Sequence, residues 1–417
     1  MSVVLVSSAA NDSEDRVSLL DLPDDTILCI LSYMDYTDLC RLGCLNCRLN
    51  KLVKYGGLWK RLCNTIWLDS LQVYSDVSWY DNFKHWFADW SRYVKCYVDI
   101  KTAWNTLEDF TKKYCPEIYA YLKDPVTESE LDQCERDMGC KLPIDLRCSF
   151  RIHNGQINEL KGLMGSVELG TYHYSRTELL LDLKSAIAGF NSAESGCLFP
   201  LTFCPFHGTS QYMVLKSQHS MVSGTVIYPC EDPAALYKDY FISAGTFTEW
   251  LCSFAKKLQQ NKYRARDGVI YRYYHDDNCV AVTNHIKVTV ATCMMPELSS
   301  INPPKYIFAY HITMVMDEQA PSSDSCQLQH RHWEVVDGQG RIEIVDGEGV
   351  VGAFPILRPG TSYSWVSITH FATPTGYMSG YFTMEKLNSG EMFDVTCPMF
   401  TMKSLEISTS KEIQCED

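Results

Sequence analysis

The spacing of apolar residues changes period along this chain, and no single layer of secondary structure accommodates both patterns. Between Leu19 and Tyr97 they recur at steps of three and four, the period of helices buried on one side. From Ile286 onward they fall on every second position, as in Ile286, Val288 and Val290, or Phe308, Tyr310, Ile312 and Met314. That is the period of strands with one face buried. A 3.6-residue pattern does not sit in a sheet, nor a two-residue pattern in a helix. The chain must therefore divide into a helical N-terminal part and an all-β C-terminal part, with a mixed region between. Its 417 residues, 46% of them apolar, suffice for roughly two to four compact domains.

The formal charge is −14. This excludes a uniformly basic surface and, with it, nucleic acid as the main partner, because neutralising phosphates takes clustered Lys and Arg. The opening residues, MSVVLVSSAANDSEDR, hold one short apolar run with no basic residue before it, unlike a signal or transit peptide. No apolar run is long enough to cross a bilayer. The expected setting is nucleus and cytoplasm, with the first 18 residues unstructured and the nineteen cysteines reduced, mostly as small buried hydrophobes. Cys44 and Cys47 form the one close C-x-x-C, but both fall inside an amphipathic helical pattern and no second ligand pair follows. No metal is expected there.

In Leu19–Cys63, Pro23 followed by Asp24 and Asp25 is helix-start chemistry, a fixed φ and then acids at the positive end of the dipole. Ile27, Ile30, Leu31 and Met34 recur at helical spacing. Thr37 and Asp38 can cap a second helix carrying Leu39, Leu42, Leu45, Leu49 and Leu52, with Gly56-Gly57 ending it. Leu58, Trp59 and Leu62 begin a third. Three such short helices cannot bury these leucines among themselves, which predicts a helical hook that docks on something else.

This stretch, residues 19–66, resembles an F-box. Leu22-Pro23 opens the motif, Ile27, Ile30 and Leu31 fill the first helix, Leu39, Leu42 and Cys47-Arg48 follow, and Leu58-Trp59 closes it. Asp25 stands where many F-boxes carry Glu, which keeps the charge. The resemblance implies the Skp1 adaptor as partner, and through it cullin-1 and the RING subunit of a ubiquitin ligase. The residues expected to face Skp1, or to support the facing helices, are Leu22, Pro23, Ile27, Ile30, Leu31, Leu39, Leu42, Leu58 and Trp59.

Residues 67–100 hold Trp79, Phe83, Trp86, Trp90, Tyr93 and Tyr97 at helical spacing, which predicts one long aromatic helix serving as a stiff stem between domains. Beyond it, Asp124-Pro125 marks a helix start, and two short amphipathic helices are read in Ser129–Gln156, stopped by Gly139 and Gly155. Strand-like pieces (GSVELGTYHY, QYMVLKS, SGTVIY) and a closing helix with Phe247, Trp250, Leu251, Phe254 and Leu258 on one side complete an α+β region. Residues 101–262 are similar to the Smi1/Knr4 (SUKH) superfamily. The carrying residues are Glu135, Met138-Gly139, Leu142-Pro143, Asp145, Phe150 and Asn154-Gly155. That family implies a protein-binding module without chemistry of its own. His153 is read as a helix-end histidine beside the negative dipole end, since no nucleophile is set against it.

Residues 263–277 read as a polar linker and 406–417 as a tail. Between them, HWEVV and RIEIV flank Asp337-Gly338-Gln339-Gly340, a hairpin signal, and SYSWVSI, GYFTMEKL and EMFDVTC supply further strands. This is an all-β sandwich. Its motifs VATCMMPELSS, GEGVVGAFPILRPG and TPTGYMSGYFTM, within 278–405, resemble the ApaG family, known from small bacterial proteins and from the C-terminus of certain F-box proteins. The resemblance implies an immunoglobulin/fibronectin-like sandwich.

GEGVVG, residues 347–352, spells the G-x-G-x-x-G of nucleotide loops. Such a site needs a helix after the glycines to hold the pyrophosphate, and Pro355 and Pro359-Gly360 leave no room for one. Asp346 and Glu348 repel phosphate, with Arg341 and Arg358 nearby to offset them. Gly347, Gly349, Gly352, Pro355, Pro359 and Gly360 are therefore read as a shaped sandwich loop, possible as a protein-binding rim. His330, His332 and His311 lack the fixed spacing of a metal set, and Asp337 and Asp346 sit beside turn glycines. No catalytic constellation, metal or cofactor is expected. The resulting expectation is a non-catalytic substrate-recognition subunit of an Skp1–cullin–F-box ubiquitin ligase. Its SUKH-like and ApaG domains would hold targets for ubiquitination and proteasomal degradation. The alternatives are a ligand-binding role of the ApaG domain (pyrophosphate, nucleotide or metal) and an Skp1-bound scaffold that never engages a cullin.

Overall fold

The computed structural model describes residues 19–72, 76–157, 159–170, 174–192, 197–209, 211–217, 221–230 and 239–408. The N-terminal 18 residues and the chain beyond Ser408, expected as disorder and tail, lie outside or largely outside these. The chain forms two compact units, Met1–Val98 and Asp99–Asp417.

The first unit is helical. Its helices are α1 (Asp24–Leu31), α2 (Tyr36–Gly43), α3 (Cys47–Leu52), α4 (Gly56–Ile66) and α5 (Trp79–Trp90). The second helix expected from sequence is two. Asp35, rather than Thr37 or Asp38, caps α2 by accepting the Asp38 N–H, and Asn46 caps α3 by accepting the Leu49 N–H. Cys44 closes α2 and Cys47 opens α3, so the C-x-x-C pair straddles a break, and both thiols are free and exposed. Gly56-Gly57 begins α4 instead of ending its predecessor. Ile27, Leu31, Leu39, Leu49, Trp59 and Leu62 form the core.

The aromatic segment is not one helix. It stops at Trp90, makes a 3-10 turn at Ser91–Tyr93, and resumes as α6 (Tyr97–Tyr114), most of which belongs to the second unit. Nor does α5 stand free as a spacer. Phe83 packs at a tilt against Trp59 at 4.9 Å, and Trp67 stacks on Trp86 at 6.1 Å. Trp86 Nε1 and Asn82 Nδ2 both donate to the buried Asp69 carboxylate, at 2.9 Å each. The stem supplies the apolar cover that the short helices cannot give one another.

The second unit joins an α+β layer to a sandwich. The α+β part holds α7 (Pro116–Ala120), α8 (Glu128–Met138), α9 (Ile144–Phe150), α10 (Leu183–Ser192) and α11 (Phe247–Gln259). Thr127, past the Asp124-Pro125 start read from sequence, opens α8 with a capping box to Glu130. The sandwich has two antiparallel sheets. One runs Tyr274–Thr283, Ile286–Met294, Tyr306–Met316, Ser362–Phe371; the other runs Ile342–Glu348, Cys326–Asp337, Thr375–Lys386, Met392–Lys403. Between them Phe308, Tyr310, Trp333, Phe382 and Phe400 interlock, with Trp333 edge-on to Phe382 at 5.5 Å.

Two segments correct the expected boundaries. Residues read as a linker form the strands Arg264–Arg266 and Val269–Tyr271, and the latter pairs in parallel with Ser166–Leu169 (Ser166 opposite Tyr271). The expected tail contains the strand Glu406–Ser408, antiparallel to Tyr240–Ala244 of the α+β layer. The outer face of the first sandwich sheet is not solvated along its length. Ala291, Ile307 and Ala309 pack on Val167, Leu169 and Tyr273, a core shared between the two layers.

This interlocking has a measurable consequence. A chain ending at Leu405 lacks the Glu406–Ser408 strand and leaves Tyr240–Ala244 with an open edge. Its melting temperature, read by circular dichroism, is expected to fall by at least ~2 °C. An unchanged melting curve would show that this strand pairing does not contribute to the unit.

Candidate functional site

The nine F-box positions separate into two groups. Ile27, Leu31, Leu39, Leu58 and Trp59 are buried in the unit's own core, and Trp59 Nε1 donates to the Val53 carbonyl. Leu22 and Leu42 are half-buried, while Pro23 and Ile30 are exposed. Besides Ile30, the large apolar side chains exposed in this unit lie outside the nine: Leu20, Tyr33 (85% exposed), Leu45 (68% exposed), Tyr55, Leu68 and Leu71. Periodicity identified the helices but not which apolar positions would remain uncovered, because helices this short bury one stripe and leave the next outside.

Arg48, which sequence reasoning placed in the motif without a role, fixes the chain before α1. Its guanidinium donates to the carbonyls of Leu20 (2.6 Å) and Leu22 (2.8 Å) and to the Asp24 carboxylate (2.6 Å). The ion pair is exposed and contributes little by charge alone. The two carbonyl bonds tie the backbone at Leu20 and Leu22 to α3.

The SUKH motif proves to be scaffolding. Glu135 is buried on α8 and meets Arg147 of α9 at 2.8 Å and Lys141 at 2.7 Å, and accepts the Leu142 N–H at 3.0 Å. Burial pushes its carboxyl up, but these partners outweigh burial and hold it below the usual range. Arg147 also reaches Glu128 (2.6 Å) and Asp132 (2.9 Å). Gly139 ends α8 in the left-handed conformation, and Pro143 precedes α9. Leu142 is buried. Asn154 Oδ1 caps α10 by accepting the Leu183 N–H. Gly155 has φ +60, and a Cβ there would lie 2.4 Å from the Leu181 carbonyl. His153 follows α9, as expected, and pairs with Glu108 at 3.1 Å.

In the glycine loop three amides that could meet a phosphate are already spent. Gly349 N–H donates to Gln329 O, while Val350 and Ala353 exchange both their backbone bonds at 2.9 Å. They enclose a two-residue turn in which Val351 (φ +45) and Gly352 (φ +77) are both left-handed. Gly347 has a different task. Arg331 lies against it, within 2.6 Å of where a Cβ would stand, and donates to the carbonyls of Glu348 and Gly349 at 2.8 Å. Pro355 is buried, the next element is the strand Ile356–Leu357, and Gly360, after Pro359, turns the chain at φ +77. No helix follows the glycines. Val351, Phe354 and Ile356 stand exposed along the loop as an apolar rim.

Of the other candidates, His332 donates or accepts at 2.6 Å with Asp346 and stacks on Tyr381, while His311 lies on the opposite sheet against Tyr273. Asp337 accepts the Gln339 and Arg341 N–H groups of its turn. Among the described residues no group of three or more potential ligands could hold a metal ion.

The cluster that sequence reasoning missed is centred on Glu178, 0% exposed. Its carboxylate meets Arg272 (3.1 Å) and Arg176 (3.3 Å), and accepts from Tyr228, Gln211 (2.7 Å) and Thr202 (3.1 Å). Arg176 continues to Glu297 at 3.5 Å. Burial pushes the Glu178 carboxyl up, but Arg272 and Arg176 prevail and hold it down at about 2. Arg272 is 94 residues from Glu178, and Glu297 lies farther still along the chain, so no local motif announces the cluster.

An F-box-like family model matches residues 19–65, one for the SMI1 / KNR4 family (SUKH-1) matches 125–253, and one for the ApaG domain matches 296–386. The fold thus defines a three-part F-box protein. The chain is 40% identical over 405 residues to F-box only protein 3 of Homo sapiens, covering 94% of this chain and 85% of that protein. It is 25% identical to F-box protein SKIP16 of Arabidopsis thaliana, covering 94% and 98%. Its sandwich is 40% identical to Protein ApaG of a Bradyrhizobium species, covering 30% and 92%. The chain belongs to the F-box only protein 3 family.

Two stability predictions rest on these clusters. Arg147→Ala leaves Glu135 buried with Lys141 as its remaining cationic partner, and should cost about 3 kcal/mol in urea unfolding of the full chain. For Glu178, a folded pKa below the unfolded value means stability that is present above about pH 4.5 and lost as pH falls toward about 2. Glu178→Gln should flatten the pH dependence of the urea midpoint in that window. A variant as acid-sensitive as the parent would assign the effect elsewhere.

Proposed function

We propose that this protein is the substrate-recognition subunit of an Skp1–cullin–F-box ubiquitin ligase. The observation that carries the reading is the exposure of Leu20, Ile30, Tyr33 and Leu45 on helices whose own core is Ile27, Leu31, Leu39, Leu49 and Leu62. It coincides with the F-box-like match. Skp1 is the partner that would cover this surface, linking the chain to cullin-1 and its RING subunit. The SUKH-like and ApaG layers hold protein targets. The protein is a non-catalytic adaptor in nucleus and cytoplasm, acting by effective concentration: a tethered lysine meets the charged E2 without diffusing to it. Proteasomal degradation of the target follows from that ubiquitination.

The buried members of the motif act at one remove. Ile27, Leu31, Leu39 and Trp59 hold α1 to α4 in register, so their truncation unfolds the face rather than removing a contact. Tyr33 and Leu45 are exposed and can be changed without that penalty.

Co-purification distinguishes the two effects. Tyr33→Ala with Leu45→Ala should weaken Skp1 binding by at least ~30-fold, given about 2 kcal/mol for a truncated hot-spot contact. The melting temperature should stay as in the parent. Unchanged Skp1 recovery from both this variant and Ile30→Asp would mean that the docking face lies elsewhere.

A further inference from the structure

A cavity of about 390 Å³ lies at the seam between the α+β layer and the sandwich. Trp250, Phe254 and Lys257 of α11 line one side and Thr292 and Met402 of the sandwich another, with Arg272 from the former linker segment. Its size and mixed lining are those of a small-molecule site, and junctions between layers are where such sites occur.

The polar groups around it are not satisfied by the protein. Arg272 spends Nη1 on Glu178 and Tyr228, but its Nε is buried without a hydrogen-bond partner. Ser243 Oγ, also on the wall, is buried and unpartnered. Lys257 has no carboxylate at ion-pair distance among the described residues, and its ammonium rests 5.3 Å from the centre of the Tyr263 ring. Burial lowers its pKa, as for a cation short of a counter-charge.

Charge counting gives the ligand class. Arg176, Arg272 and Lys257 face two carboxylates, Glu178 and Glu297, which leaves one cation in surplus. Lys403 and Asp276, which also line the cavity, offset each other. A buried charge without a partner is costly, and an adjoining void with idle donors supplies room for the missing anion. One surplus charge favours a monoanion over a pyrophosphate, and Trp250, Phe254 and Met402 suit an apolar or aromatic body. We propose that this cavity binds a small aromatic or apolar monocarboxylate, its carboxylate taken by Lys257, the Arg272 Nε–H and the Ser243 hydroxyl. The site is separate from the glycine loop, none of whose residues lines it.

The test uses the full chain with 2-naphthoate as probe, its neutral amide 2-naphthamide as control, and inorganic pyrophosphate, by calorimetry and thermal shift. Naphthoate should bind and raise the melting temperature, with the amide and pyrophosphate each at least ~10-fold weaker. Lys257→Met should lose at least ~10-fold in naphthoate affinity yet melt no lower than the parent without ligand, because it removes an uncompensated cation. Lys257→Arg should retain binding. The proposal is overturned if millimolar naphthoate has no effect, or if the amide or pyrophosphate binds equally well. It is equally overturned if Lys257→Met leaves the naphthoate response intact or lowers the ligand-free melting temperature, which would give Lys257 a structural role.

Discussion

The second unit depends on one buried carboxylate. Glu178 sits between strands of the α+β layer and holds Arg272, which arrives from the chain leading into the sandwich. Isolated, a carboxylate with no solvent exposure would be neutral or displaced. With two guanidiniums, a phenol, an amide and a hydroxyl around it, it is ionised and satisfied. Each partner lies on a different segment, so the ion fixes their mutual placement in a way apolar packing alone would not. Arg272, so placed, brings Val269–Tyr271 onto Ser166–Leu169 and continues directly into the first sandwich strand.

The consequence is that the α+β layer and the sandwich form one body. They share the core of Val167, Leu169, Ile307 and Ala309 and exchange the strand Glu406–Ser408. For a protein proposed to act by tethering, this matters. Two modules on a flexible linker would sample many separations and dilute the target, whereas one body presents both surfaces in fixed register.

Much of this architecture is legible in the sequence, and the omissions share a cause. The switch from helical to alternating spacing located the all-α and all-β parts because both are local signals. The closing helix from Phe247, and the hairpin at Asp337–Gly340, follow from neighbours in sequence. The errors lie where long-range contacts decide. The 263–277 stretch reads as a polar linker, yet contributes strands because Arg272 finds Glu178 and Ile270 is buried. Ile307 and Ala309 look like the solvent side of an alternating strand until the α+β layer covers them. At the F-box, spacing identified α1, but which of Ile27, Ile30 and Leu31 stays outside is decided by tertiary packing, where α1 lies against α3.

The glycine loop shows why the letters of a motif are weaker than its hydrogen bonds. A phosphate cradle requires free N–H groups pointing into one concavity, followed by a helix whose dipole reinforces them. Here the same spacing is produced by unrelated needs: room for the Arg331 guanidinium at Gly347, a close approach to Ala353 at Gly349, and a left-handed turn at Gly352. The amides of Gly349, Val350 and Ala353 are spent inside the protein, and the carbonyls of Glu348 and Gly349 face a cation. The loop is thus already compensated electrostatically by Arg331. The cation without a carboxylate partner among the described residues is Lys257, which lines a cavity with Arg272 that no glycine motif marks.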